Sequence, residues 1–162
     1  MAVSTIVGTK RDGQITLKDS AAHNLILTLE VGDFSFEEPK ADRTVIRDRG
    51  VISGLRKGDD PVGSCSFTVH FTEFTNSTAD NLMDFVYKRG PAAGYTSTGG
   101  TGFEQSLVDV EFKVDKTALG DSAAAVVTLG KVLLFASFSE ADPDSLSITG
   151  EVYGSYAYTG IS

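Results

Sequence analysis

Gly63-Ser64-Cys65-Ser66-Phe67-Thr68-Val69-His70-Phe71-Thr72-Glu73 is the stretch that decides the architecture. Cys65, Phe67, Val69 and Phe71 fall on one side of it, and Ser64, Ser66, Thr68, His70 and Thr72 on the other. Side chains alternate between the two faces of a strand, so a period of two predicts a strand with one buried and one wet face. The pattern recurs in Leu107–Val114, where Val108, Val110, Phe112 and Val114 oppose Asp109, Glu111 and Lys113. It recurs again from Ser145 to Tyr158, where Leu146, Ile148, Val152, Tyr156 and Tyr158 oppose Ser147, Thr149, Glu151 and Ser155.

Further strands lie on either side of these three. His23–Phe36 places Leu25, Leu27, Leu29 and Val31 on one face, then switches phase to Phe34 and Phe36, which predicts a bulge or sharp bend at Gly32-Asp33. Ala124–Ser139 is apolar on both faces around Gly130, which predicts a long bent strand buried on both sides for part of its length. Thr5–Lys10 and Gln14–Lys18 flank Asp12-Gly13, a two-residue hairpin signal.

One helix is expected over residues 78–89. Ser77-Thr78-Ala79-Asp80 supplies hydroxyl caps and a first-turn acid, and Leu82, Phe85 and Val86 form an apolar packing stripe. Lys88 and Arg89 suit the C-terminal dipole, and Gly90-Pro91 ends the helix. So short a helix is marginal alone and must pack on a sheet. Pro91–Gly102, rich in Gly, Ser and Thr, reads as a flexible loop. Lys40–Val62 reads as a second long connection with little structure of its own, ending in the turn signal Lys57-Gly58-Asp59-Asp60-Pro61. The expected fold is a single, mainly β domain over residues 1–162. It is an antiparallel β-sandwich or barrel of six to eight strands with one flanking α-helix and two long loops.

Charge narrows the function. The 162 residues carry 14 Lys and Arg against 22 Asp and Glu, a net of −8, which argues against a surface built to grip phosphate backbones. No apolar run approaches a bilayer span. Met1-Ala2-Val3-Ser4 lacks the basic start of a secretory signal, and the lone Cys65 suits a reducing compartment. Positive charge gathers in one place. Lys40, Arg43, Arg47, Arg49, Arg56 and Lys57 stand against Asp42 and Asp48, giving +4 over residues 40–57. That segment is either a solvated loop balancing nearby carboxylates or an arm that docks on an acidic neighbouring subunit.

Catalytic and metal chemistry find little support. Cys65 and His70 differ by an odd number and so face opposite sides of their strand, which excludes a Cys–His nucleophile pair. One Cys and two His give no zinc spacing. Asp59-Asp60 and Glu140-Ala141-Asp142-Pro143-Asp144 lack the alternating oxygen ligands and closing Glu of a calcium loop. The glycine-rich stretch at 94–102 has no phosphate-loop pattern. Neither catalysis nor a cofactor is expected.

The order of elements resembles the bacteriophage major tail tube proteins of the long, non-contractile (siphovirus) tail. The resemblance rests on the N-terminal hairpin, a long bent strand, the charged loop ending Gly54-Leu55-Arg56-Lys57-Gly58-Asp59-Asp60-Pro61, and the strand Ser64–Phe71. The single helix, the Gly/Ser/Thr loop and the last strand Asp144–Gly154 complete it. It implies homo-hexameric rings stacked into a virion tail tube, with tape-measure and tail-end proteins as partners. It also implies an acidic and polar channel through which DNA passes without specific binding, and no contact with a membrane. The basic residues of segment 40–57 would then be the inter-ring loop. Candidate lumen acids are Glu30, Asp109, Glu111 and Glu151.

Two other classes fit the same residues. One is another phage or secretion-system assembly protein, such as a tube protein, a terminator or a head-decorating protein, and assembly state discriminates it. The other is a carbohydrate-binding β-sandwich with Tyr153, Tyr156 and Tyr158 as stacking platforms. Against it, the chain has no Trp, and Tyr156 and Tyr158 share the core-facing parity of Leu146 and Ile148.

Overall fold

The computed structural model describes residues 13–21, 23–27, 33–70, 82–115, 117, 120, 123–140 and 144–160. The strands are β1 (Gly13–Lys18), β2 (Asn24–Leu27), β3 (Ser35–Glu37), β4 (Arg43–Asp48), β5 (Val51–Lys57), β6 (Gly63–His70), β7 (Val108–Val114), β8 (Ala125–Ser139), β9 (Ser145–Val152) and β10 (Tyr156–Thr159). One helix, α1 (Leu82–Tyr87), is described. Eight strands form an antiparallel sheet in the order β2-β1-β7-β8-β9-β6-β3, with β10 also paired to β8, while β4 and β5 form a separate two-stranded sheet.

The expected two-residue period is realised. Cys65, Phe67 and Val69 of β6 are buried, as are Leu146, Ile148 and Val152 of β9 and Val108 and Val110 of β7. Ile15 and Leu17 of β1 join the same core, so the sheet folds back on itself with β6 and β9 facing β1 and β7. Phe34, leading into β3, stacks on Phe112 of β7 at 4.5 Å and closes the open side. The outer surfaces of the two halves therefore look in opposite directions.

β8 makes the fold-back possible. Residues 125–132 pair with β7, and 132–139 pair with β9. The strand bends at Gly130-Lys131, where Lys131 takes φ 53° and the inward phase shifts from Val127 and Leu129 to Val132 and Leu134. β9 and β10, expected as one strand, are interrupted at the same level. Gly154 N–H donates to the Gly130 carbonyl, and Gly130 N–H to the Ser155 carbonyl. A Cβ on Gly154 would lie 2.4 Å from the Gly130 carbonyl oxygen, a backbone atom that cannot step aside. Gly154→Ala is expected to destabilise the protein by about 1–3 kcal/mol, the usual range for overpacking, as a lowered urea midpoint with unchanged slope.

On the helix, Phe85 is buried and Leu82 and Val86 are half-buried. The helix stops at Tyr87, and Lys88 turns left-handed at φ 53°. Its caps at 77–80, the first half of the Asp12-Gly13 hairpin and the switch point at Gly32 lie outside the described residues. The pieces of His23–Phe36 that are described sit at opposite ends of the sheet, β2 on β1 and β3 on β6.

Three expectations are corrected. The first half of the 91–102 stretch is packed rather than loose. A 3-10 turn at Gly90–Gly94 buries Ala92, and Tyr95 is buried between His23, stacked at 4.3 Å, and Phe85, met edge-on at 4.9 Å. The far half of β8 is buried on its inner face at Val132 and Leu134, while on its outer face Phe135 stays open beside Phe103 and Glu104, so burial on both sides does not extend there. Tyr158 does not reach the core. β10 lies at the rim, and the Tyr158 hydroxyl donates to Glu38.

A buried carboxylate pins the 95–97 segment. Asp19 accepts hydrogen bonds from the backbone N–H of Ala21, His23 and Thr96 and from His23 Nδ1, at 2.8–3.0 Å. Burial alone would push its carboxyl up. The four donors outweigh that and hold it at about 2.

Candidate functional site

The segment expected to be a long unstructured loop is a β-hairpin arm. Thr44-Val45-Ile46 and Val51-Ile52 are β-branched runs suited to extended backbone. Arg49 (φ 47°) and Gly50 (φ 86°) both take positive φ, which marks the primed turn whose twist matches a hairpin. Arg47 pairs with Ile52 and Ile46 with Gly54, so Ser53 is the extra residue of a bulge, and its hydroxyl donates to the Ile46 carbonyl at 3.2 Å. At the root, Gly58 N–H bonds the Asp42 carbonyl at 2.6 Å.

Every residue of the arm except Gly54 is exposed. Val51, Ile52 and Leu55 are open to 70%, 61% and 59%, and Val45 and Ile46 are also exposed. Register assigns the faces. Arg43 opposes Lys57, Val45 opposes Leu55 and Arg47 opposes Ile52, so one face alternates three bases with three apolar side chains. The other carries Thr44, Ile46, Asp48, Val51 and Arg56. Lys40 precedes the arm and Arg49 sits at its tip. Of these six bases, only Lys57 has an ion-pair partner among the described residues, Asp60. A two-stranded hairpin is marginal in water by itself. Five large apolar side chains gathered on one exposed hairpin are the kind of patch that marks an interaction surface.

The three described lumen candidates stand at outward strand positions, each with a partner of its own. Glu111 pairs with Lys18 Nζ at 2.5 Å, and Asp109 accepts from the Lys131 N–H at 3.0 Å, both on the outer face of the β1/β7 half. Glu151, on the outer face of the β6/β9 half, accepts from the Tyr153 hydroxyl at 2.6 Å. Glu30 lies outside the described residues. Val108, Val132 and Val152 form one buried row across β7, β8 and β9, so Asp109 and Glu151, each one residue from it, both face outward on the strands that flank β8.

Beside Glu151 lies an open groove of about 500 Å³, formed by Phe103, Glu104, Leu133, Phe135, Glu151 and Tyr153. Phe103, Phe135 and Tyr153 are 40%, 47% and 42% exposed. Phe103 and Tyr153 meet edge-on at 6.3 Å, and Lys131 Nζ lies 5.2 Å from the Phe103 ring. Tyr153 also borders a second depression, of about 750 Å³, at the root of the arm beside Lys40, Arg43 and Lys57. The sequence reading missed this groove. Its one local signal is Phe135, an aromatic on the outward parity of β8.

The reactive groups are placed unfavourably for catalysis. Cys65 faces the core, where burial pushes its thiol up to about 11. His23 is bound to Asp19, and His70 lies on the outer face of β6. Among the described residues, no three His, Cys, Asp or Glu are grouped to hold a metal ion, and no helix is long and apolar enough to cross a membrane.

No family model matches the chain, and no curated protein matches it in sequence. Its fold does match solved structures. A chain of the anti-feeding prophage cap (the AFP tube terminating cap) superposes with a TM-score of 0.58 at 12% identity, over 98% of this chain and 94% of that one. A chain of the sheath/tube terminator of an extracellular contractile injection system (PVC, extended state) gives 0.57 at 11% identity, over 98% and 99%. A chain of the sheath–tube complex of the same type of system gives 0.58 at 11%, over 98% and 99%. At such identities the likeness is one of fold.

Proposed function

We propose that the protein is a structural subunit of a phage-tail-like tube, forming the ring that ends the tube in the manner of a terminator or cap. The observation that carries this reading is the β4–β5 arm, basic, apolar and exposed on both faces. The arm is the part that needs another subunit, and the body supplies the charge to receive it. With +4 in residues 40–57 and −8 overall, the rest of the chain carries −12. The match to the AFP cap and the PVC terminator over nearly the whole chain supports the assignment. The role is non-enzymatic. Its partners are further copies of the chain and other proteins of the particle's tail, and its place is the tail itself.

A second reading is favoured by the equal likeness to the sheath–tube complex. In it, hexameric rings stack into the tube and enclose an acidic or polar channel for DNA. Two of the neighbours come from a contractile injection system, so the non-contractile tail type implied by the sequence resemblance draws no support from them.

Negative-stain electron microscopy of the purified protein, with light-scattering mass, tests both. Closed single rings are the expected result. Open-ended tubes would transfer the assignment to the tube itself. A 17.2 kDa monomer persisting at high concentration would overturn both and favour the carbohydrate-binding alternative.

A further inference from the structure

We propose that the groove at Phe103, Phe135 and Tyr153 receives the β4–β5 arm of a second copy of this chain. The inference rests on the tube-subunit reading above and names the site at which its copies join. The two surfaces match in chemistry. The arm presents Val45, Ile52 and Leu55 interleaved with Arg43, Arg47 and Lys57 on one face. The groove presents Phe103, Phe135, Tyr153 and Leu133 with Glu104 and Glu151 among them. Apolar side chains exposed on both partners would be covered, and bases would meet acids at the rim.

Geometry favours a second copy over the same one. Neither β4 nor β5 packs appreciably on another described element, and the Gly58 N–H to Asp42 carbonyl bond closes the arm across its own base. A strand of seven residues reaches about 20 Å, which carries the tip well away from its own body. The groove lies next to the arm's root, since Tyr153 borders both depressions. Arm and groove are different surfaces, so the contact, repeated head to tail by every copy, closes into rings or runs on as open stacks.

Two single-cysteine variants test the contact, Val45→Cys on the arm and Gln105→Cys on the groove rim. Native Cys65 is buried with a suppressed thiolate and stays silent. Mild oxidation of the mixed variants is expected to give a disulfide-linked dimer that neither variant gives alone. Adding Arg43→Glu and Arg47→Glu to the arm partner should lower the yield about tenfold or more, and Glu104→Arg with Glu151→Arg in the groove partner should restore it. No cross-link from the mixture, or no rescue by the reversed charges, overturns the arm-to-groove contact. If the unmodified protein still forms rings or tubes in that case, the tube-subunit reading survives and only the groove is wrong. A protein that forms no assembly at all overturns both.

Discussion

Arg47→Glu combined with Arg49→Glu is expected to leave the chain folded and to abolish its higher assembly, including any stacking of rings. The two changes take the 40–57 segment from +4 to 0 while touching nothing in the core. Arg47 spends its side chain only on a long, exposed contact to the Gly50 carbonyl at 3.4 Å, and exposed contacts of this kind contribute little to folding. Arg49 already holds a left-handed φ of 47°, and Glu carries a similar backbone cost there. The body's thermal midpoint should therefore stay within a degree or two, because surface changes are usually worth about 0.5 kcal/mol or less. Assembly depends on the charge itself. Sedimentation at physiological salt should show the double variant as monomer where the unmodified protein sediments as rings or larger. Raising the salt should weaken the unmodified assembly as well, since the screening length falls to about 3 Å at 1 M. Long tubes or intact rings from the double variant would sink the docking-arm reading.

Asp19→Asn is the second change with a large expected effect, and it acts on stability. The buried carboxylate satisfies three backbone N–H groups and the His23 ring. Weakening that set exposes buried donors to a poorer acceptor, at an expected cost of about 3 kcal/mol. Part of this cost depends on pH in a definite direction. The Asp19 carboxyl sits at about 2 in the folded chain against an ordinary 3.8, so the folded state prefers it ionised. Its contribution is fully present above about pH 4 and is lost as the pH falls toward 2. The pH-dependent part amounts to about 2 kcal/mol from a shift of that size. Urea unfolding of both proteins at a series of pH values reads this directly. Their difference should be constant from pH 7 to pH 5 and shrink below pH 4. A difference that holds unchanged to pH 2.5 would mean that Asp19 is not held as the charged form.

The sandwich was legible in the sequence because burial of one face imposes a period of two. Cys65, Phe67 and Val69 announce their strand without any knowledge of its neighbours. The arm was hidden by the same logic. A hairpin exposed on both faces has no reason to alternate, and Arg43, Val45 and Arg47 share a face in defiance of the usual pattern. What remained to be read was Arg49-Gly50 between two β-branched runs, a weaker turn signal than Asn-Gly or Asp-Gly. Segment 91–102 was misread for a different reason. Its composition is that of a loose loop, but Thr96 is held by Asp19, 77 residues earlier, and a local window cannot register such a contact. The groove was invisible likewise, since Phe103, Phe135 and Tyr153 come together only when β8 and β9 pair.

Because β8 belongs to both layers, the body has no seam between them. Layers joined only by loops can slide or open about their connections. Here any relative movement of the halves must bend fifteen continuous residues and strip hydrogen bonds from both of their edges. In an assembly of the proposed kind, the hairpin, closed across its own base by the Gly58–Asp42 bond, would be the part left to yield when neighbours shift, and the body would keep its shape.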